Sequence, residues 1–213
     1  GLQQGMAVLA FDLPGHGLSS GEPVAITSFD QYADVLDAIL LAAQGLLPAP
    51  YFAMGQSTGC AVLLNYLWRY DAARTQPRLQ RIALCAPLVL PRAWGRNKIA
   101  YALLHRFIKT LPRGRASSSH DADFIRFISE HDCLQSAYLA VSWVGAMKQW
   151  DKQFRQFPPL PQSVLVVQGD EDMTVAWRYN LEQIKRALPN VQVVMVPGAG
   201  HQMVNESEPH RAQ

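Results

Sequence analysis

The sequence predicts an α/β fold: a mostly parallel sheet with helices on both faces and one helical insertion. Two observations carry that expectation and a third places the insertion. Short apolar runs, "MAVLAF" at 6–11, "YFAM" at 51–54, "RIALCAP" at 81–87, "SVLVVQG" at 163–169 and "VQVVMVPG" at 191–198, have the character of strands buried on both faces. Segments of helical period lie between them, and such alternation implies right-handed crossovers and parallel pairing. From residue 88 to 162 the rhythm breaks. With 213 residues, 49% hydrophobic and 17% charged, the chain suits a soluble globular domain with a substantial core, carrying one insertion.

Taken in order, "MAVLAF" is the first predicted strand, followed by "DLPGHGLSSGEP", a loop dense in turn residues. The helix "TSFDQYADVLDAILLAAQG" (27–45) opens on a capping box of Ser28 and Gln31 and suits Gly45 at its C-terminal cap. Phe29, Tyr32, Val35, Leu36, Ile39 and Leu40 share its apolar face. Strand "YFAM", a glycine corner and helix "TGCAVLLNYLWRY" come next, and helix 175–188 joins the last two strands. The interruption is helical in pattern, rich in Trp, and closed by the Pro-rich return "FPPLPQ". It reads as a cap over the C-terminal edge of the strands, where open α/β sheets bind ligands. The division is therefore a core of 1–87 and 163–213 with a cap of 88–162.

Net charge is +2, unevenly spread: residues 91–115 hold Arg92, Arg96, Lys98, Arg106, Lys109, Arg113 and Arg115 and no acidic residue. Cys60, Cys85 and Cys133 show no CxxC spacing and read as buried small hydrophobes. No run approaches the roughly 20 apolar residues of a membrane span, and no signal peptide opens the sequence, so the expected location is cytoplasmic. Neither a phosphate-cradling glycine loop, a metal-ligand spacing nor a nucleic-acid module stands out, and no cofactor is implied.

The chemistry gathers at "GQSTG". Strand, Gly-x-Ser-x-Gly, helix is the context in which a serine is held on a sharp turn. Gly55 and Gly59 leave room around Ser57, and the helix N-terminus favours developing negative charge. The backbone N–H of Thr58 is placed to donate to a tetrahedral oxyanion. A serine hydroxyl needs a base, and an imidazole base needs an orienting carboxylate. "GDEDMTV" offers Asp170, Glu171 and Asp172 just past one strand, and "GAGHQM" offers His201 past the next. His16 is expected to brace its loop, while His105, His120, His131 and His210 are expected to be solvated.

These pieces together resemble the α/β-hydrolase superfamily, in particular the serine hydrolases that include lysophospholipase-like enzymes, monoacylglycerol lipases and related esterases. The resemblance rests on "FDLPGHGLSSG", "GQSTG", "GDEDMTV" and "GAGH" and spans nearly the whole chain. It implies an α/β-hydrolase fold and a triad in which the acid is the fourth residue of Gly-x-x-Asp, here Asp172. The family commonly has His before the nucleophile where this chain has Gln56, a neighbour outside the triad. It also implies earlier strands and a His-Gly loop bearing the second oxyanion donor, together with a final helix, none of which this sequence contains. The strand carrying that loop would lie between "MAVLAF" and "YFAM", leaving these two about 10 Å apart.

The implied activity is hydrolysis of carboxylic esters with apolar acyl chains. Trp94, Tyr101, Phe107, Phe124, Phe127, Trp143 and Trp150 are candidates to line an acyl pocket or to pack the cap on the core. An aminopeptidase-like reaction would need carboxylates aimed at a substrate ammonium, for which Asp121, Asp123 and Glu130 are the available cluster. A third alternative is a catalytically incompetent fragment. From residue 98 to 111, Ile99, Leu103, Leu104, Phe107, Ile108 and Leu111 fall on one helical face with Lys98, Arg106 and Lys109 off it. That pattern fits either peripheral contact with anionic lipid through 92–115 or a solvated helix packed on the core.

Overall fold

The computed structural model describes residues 5–112 and 118–212. Its centre is a four-stranded sheet of β1 (Tyr51–Gln56), β2 (Leu79–Cys85), β5 (Val164–Gly169) and β6 (Gln192–Val196), in the order β1-β2-β5-β6 and parallel throughout. Parallel neighbours require crossovers. Helix α2 (Thr58–Tyr66), continued by a π-helical turn over Leu67–Asp71, lies between β1 and β2, and α6 (Trp177–Ala187) lies between β5 and β6. The buried Asp71 closes that turn, its carboxylate accepting from Arg78 N, Leu79 N and Tyr66 Oη.

Helix α1 (Asp30–Ala43) starts one residue later than its capping signal suggests. Ser28 Oγ accepts from Asp30 N, and Gln31 Oε1 reaches back to Thr27 N. Gln44 caps the helix and lies in right-handed helical space. Tyr32, Ala33, Leu36 and Leu40 of α1 meet Ala61, Leu63 and Leu64 of α2 in the main core. Inward-facing strand residues Leu79, Ile82, Leu84, Val164 and Val166 complete it. Alternate strand positions point the other way, and there Phe52, Met54, Leu165 and Val194 are exposed.

Residues 6–11 depart from expectation. They form no strand, and Met6, Val8, Leu9 and Phe11 are exposed. An apolar run becomes a strand only with a partner, and among the described residues the sheet ends at β1. An apolar groove of about 430 Å³ separates residues 7–13 from β1, floored by Leu36, Leu40, Val62 and Leu63.

Residues 88–162 contain α3 (Trp94–Leu104), β3 (Thr110–Pro112), α4 (Ala122–Glu130), β4 (Tyr138–Ala140) and α5 (Val141–Phe154), with β3 and β4 antiparallel. These elements differ in attachment. Helix α5 buries Met147, Trp150 and Phe154 in the main core, where Trp150 stacks on Phe29 at 5.7 Å between ring centroids. Helix α4 buries no residue, and Ile99 and Leu103 of α3 are exposed. The helix expected over 98–111 is thus two elements: α3 ends at Leu104, and Thr110 pairs with Ala140. Of its apolar positions Ile99, Leu103 and Phe107 are exposed, Phe107 to 85%, while Ile108 and Leu111 are half-buried. Arg113 and Arg115 lie outside the described residues. Cys60 and Cys85 are buried as expected, whereas Cys133 is exposed on a turn after α4.

Candidate active site

Ser57 joins β1 to α2 with φ 51° and ψ −110°, a conformation that side-chain-bearing residues rarely adopt. The surrounding backbone holds it there. Ser57 N donates to Cys85 O at 3.0 Å, and Ser57 O accepts from Cys60 N at 3.0 Å and Leu88 N at 3.3 Å. Gly55 is required by this turn: a Cβ on it would lie 2.6 Å from the carbonyl carbon of Gly59 and 2.9 Å from Cys60 N. Gly59 is different, since a Cβ there meets nothing within 4 Å and the chain itself does not demand its smallness. The Cys60 thiol donates to Gly55 O and Cys85 O, and burial pushes its pKa well up, keeping it neutral. Thr58 is the first residue of α2, so its N–H has no acceptor within the helix.

The acidic loop after β5 separates its three carboxylates. Asp170 Oδ1 accepts from Gly198 N at 2.7 Å, bracing the next loop, and the Glu171 side chain faces His120. Asp172 is buried and meets His201, with Oδ2 2.8 Å from His201 Nδ1. Its Oδ1 accepts from Thr174 N and Val175 N, and Gln168 Nε2 donates to Oδ2. Burial alone would raise the pKa of Asp172. The imidazole of His201 and the N–H groups of Val175 and Thr174 outweigh it and hold the carboxyl below the usual range. Because a carboxylate only accepts, His201 donates from Nδ1 and presents Nε2 as the free base position.

His201 is 4% exposed on a loop clamped from four sides. Gly200 N donates to Glu206 Oε1 at 2.6 Å, Gln202 N to Ser118 O at 2.8 Å, and Glu171 N to Ala199 O at 3.1 Å. A Cβ on Gly169 would sit 2.2 Å from Ala199 O, so the end of β5 touches this loop directly. Gln56 supplies the fourth tie, its Nε2 donating to Gln202 Oε1 and, at 3.4 Å, to His201 O.

The structure thus brings together Asp172 and His201 and sets Ser57 at the end of β1, across β2 from β5 and tied to the His201 loop through Gln56. Among the described residues no hydrogen bond joins Ser57 Oγ to His201. His16 braces its loop, Nδ1 meeting Pro14 O, and His105 and His131 are exposed, as expected. His120 is exposed, as expected, and His210 half-buried, and both gather on the buried Glu206. Gln168 and Glu206 are supporting residues that motif reading does not identify, because nothing in their own side chains marks a site; Gln56, read only as the neighbour of the nucleophile, gains the role of tying the His201 loop.

Residues 2–208 match the family described as serine aminopeptidase, S33. Among solved structures, a monoacylglycerol lipase of Paleococcus ferrophilus superposes with TM-score 0.76 at 20% identity, covering 95% of this chain and 79% of that one. A soluble variant of monoglyceride lipase from Saccharomyces cerevisiae, solved with a substrate analogue, gives 0.75 at 16% identity, with 93% and 70% covered. A bromoperoxidase from Bacillus anthracis gives 0.60 at 18% identity, with 91% and 74% covered. No protein of curated function matches the chain in sequence.

Proposed function

Since the chain belongs to the serine aminopeptidase S33 family and has the α/β-hydrolase fold, we propose that it is a serine hydrolase cleaving carboxylic esters with apolar acyl chains. The observation that carries this reading is the buried Asp172–His201 pair beside a serine held at positive φ. In this mechanism Ser57 Oγ attacks the ester carbonyl as its proton passes to His201 Nε2, while Asp172 stabilises the imidazolium. The Thr58 N–H and the N-terminus of α2 stabilise the oxyanion. The leaving alcohol takes the proton from His201, and water, activated by the same imidazole, releases the acyl group. Contact between Ser57 and His201 tightens when substrate binds, as in many sites whose hydrogen bonds are long without ligand.

The ester reading is preferred to a peptidase because the carboxylates expected to hold a substrate ammonium have other roles. Asp121 caps α4 by accepting from Phe124 N. Asp123 is exposed and pairs with Arg126, and Glu130 is exposed. A panel of p-nitrophenyl esters of rising acyl length against aminoacyl anilides tests the choice. Turnover of esters with little anilide cleavage is expected, and preferred anilide cleavage contradicts it.

The same reading includes peripheral contact with anionic lipid through 92–115. It is supported by exposed Ile99, Leu103 and Phe107 beside exposed Lys98, Arg106 and Lys109. Among the described residues no helix is long and apolar enough to cross a membrane. Co-sedimentation with vesicles should rise with anionic lipid content; binding indifferent to that content contradicts the proposal.

A further inference from the structure

Outside the Ser57 site, His120, Glu206 and His210 form the one group of metal-ligating side chains that converges among the described residues. Their ligand atoms all lie within 4.8 Å of one another. His120 Nδ1 is 3.2 Å from Glu206 Oε1, His210 Nδ1 is 3.8 Å from Oε2, and the two rings lie 5.3 Å apart. We propose that these three residues bind a divalent first-row transition ion, Zn²⁺ above all, as a structural clamp distinct from the hydrolytic machinery.

The donor set argues for that class of ion. Two imidazoles and one carboxylate suit a borderline-soft cation, whereas Mg²⁺ and Ca²⁺ want mainly oxygen. Bonds of about 2.0–2.2 Å put tetrahedral ligand atoms roughly 3.3–3.5 Å apart. Small rotations of two side chains, one exposed and one half-buried, reach that spacing from the present one. Glu206 is immobile by comparison: its side chain is fully buried and accepts from Gly200 N, His120 N and Ser207 N.

The groups around the cluster are those that orient ligands. His120 Nε2 faces the Glu171 carboxylate at 3.6 Å, an outer partner for the ring once Nδ1 is on the metal. Ser207 Oγ lies 2.9 Å from His210 Nδ1 and is its hydrogen-bond partner, with Glu206 Oε2 behind it at 3.8 Å. A water fills the fourth position. Without metal, His120 Nδ1 hydrogen-bonds to Glu206 and His210 Nδ1 pairs with Ser207 Oγ; the ion takes the place of these hydrogen bonds.

What the clamp joins gives it a consequence. His120 leads into α4, Glu206 follows the short turn Met203–Asn205, and His210 lies in the helical turn Glu208–Arg211. Glu206 also holds Gly200, next to His201, while Ser118 O holds Gln202. A metal here ties three chain segments around the His201 loop and stabilises the native form, because the unfolded chain offers no such arrangement.

Calorimetric titration of the full chain with Zn²⁺, paralleled by Co²⁺ titration followed in the visible range, tests the site. Expected are one ion per chain at micromolar metal, nitrogen-ligated tetrahedral Co²⁺ bands, and a higher Tm with Zn²⁺. His120→Asn and His210→Asn should each weaken binding by at least about tenfold, and the exposed control His131→Asn should leave it unchanged. Circular dichroism verifies that the variants fold; were one not to, the stoichiometry and spectrum of the unsubstituted chain decide. No saturable binding up to about a millimolar metal, or an affinity in both histidine variants unchanged from that of the unsubstituted chain, overturns the proposal.

Discussion

Ser57 shows how one residue concentrates the cost of a site. A non-glycine at φ 51° stores roughly 1–3 kcal/mol of strain, which Ser57→Gly should relieve. That variant is expected to melt at higher temperature than the unsubstituted chain while losing ester turnover; a lower Tm would show that the turn is not strained. Gly55→Ala drives a methyl into the Gly59 backbone, a rigid partner, and should cost roughly 1–3 kcal/mol by thermal or urea unfolding. Gly59→Ala should be tolerated in the unliganded chain. The depressed carboxyl of Asp172 adds a pH signature. Its stabilisation is present above the ordinary carboxylate range and is lost as pH falls through the lowered value. The stability gap between the parent and Asp172→Asn should therefore narrow between about pH 6 and about pH 3. A gap that widens on acidification contradicts the pairing.

The sheet strands and helices α1, α2 and α6 are legible in the sequence because their cause is local. Apolar runs of strand length alternate with helical periods, and "GQSTG", "GDED" and "GAGH" fall where strands end. Two kinds of feature are not legible. Whether an apolar run pairs depends on a neighbour, and "MAVLAF" reads as a strand but has none beside it. Whether an aromatic residue faces a pocket or the core depends on packing across distant segments. Trp143 and Trp150 contact Phe29 of the core, while Tyr101 alone among the seven candidates lines the cavity of about 800 Å³ between residues 22–25 and the antiparallel β3–β4 pair. Gly145 makes room for it, since a Cβ there would lie 2.6 Å from the Tyr101 hydroxyl. Trp150→Ala should accordingly cost about 3–5 kcal/mol of stability, and Phe107→Ala should leave stability unchanged and weaken only vesicle binding. A Trp150→Ala chain of normal stability with altered acyl-length preference would return that residue to the pocket.

At the scale of the whole molecule, the sheet presents two kinds of unsatisfied surface. The outer edge of β1 has no strand partner among the described residues. One sheet face also exposes Phe52 (56%), Met54 (66%) and Val194 (47%). Unpaired edges and contiguous apolar surface promote association. The chain should therefore self-associate with rising concentration in light scattering, and Phe52→Lys with Met54→Lys should suppress it. A chain that stays monomeric at high concentration would mean that these surfaces are covered in solution.

The site at the head of the sheet is the centre of the account, and covalent labelling with a fluorophosphonate probes it most directly. Such a reagent reacts with a serine made nucleophilic by a base, whatever ester the enzyme prefers. Mass spectrometry of the digested chain should find a single adduct on the peptide bearing Ser57. That adduct should be absent in Ser57→Ala and strongly reduced in His201→Ala, with both variants folded. A folded chain that takes no label, or an adduct that persists in Ser57→Ala, would contradict the assignment of Ser57 as the nucleophile.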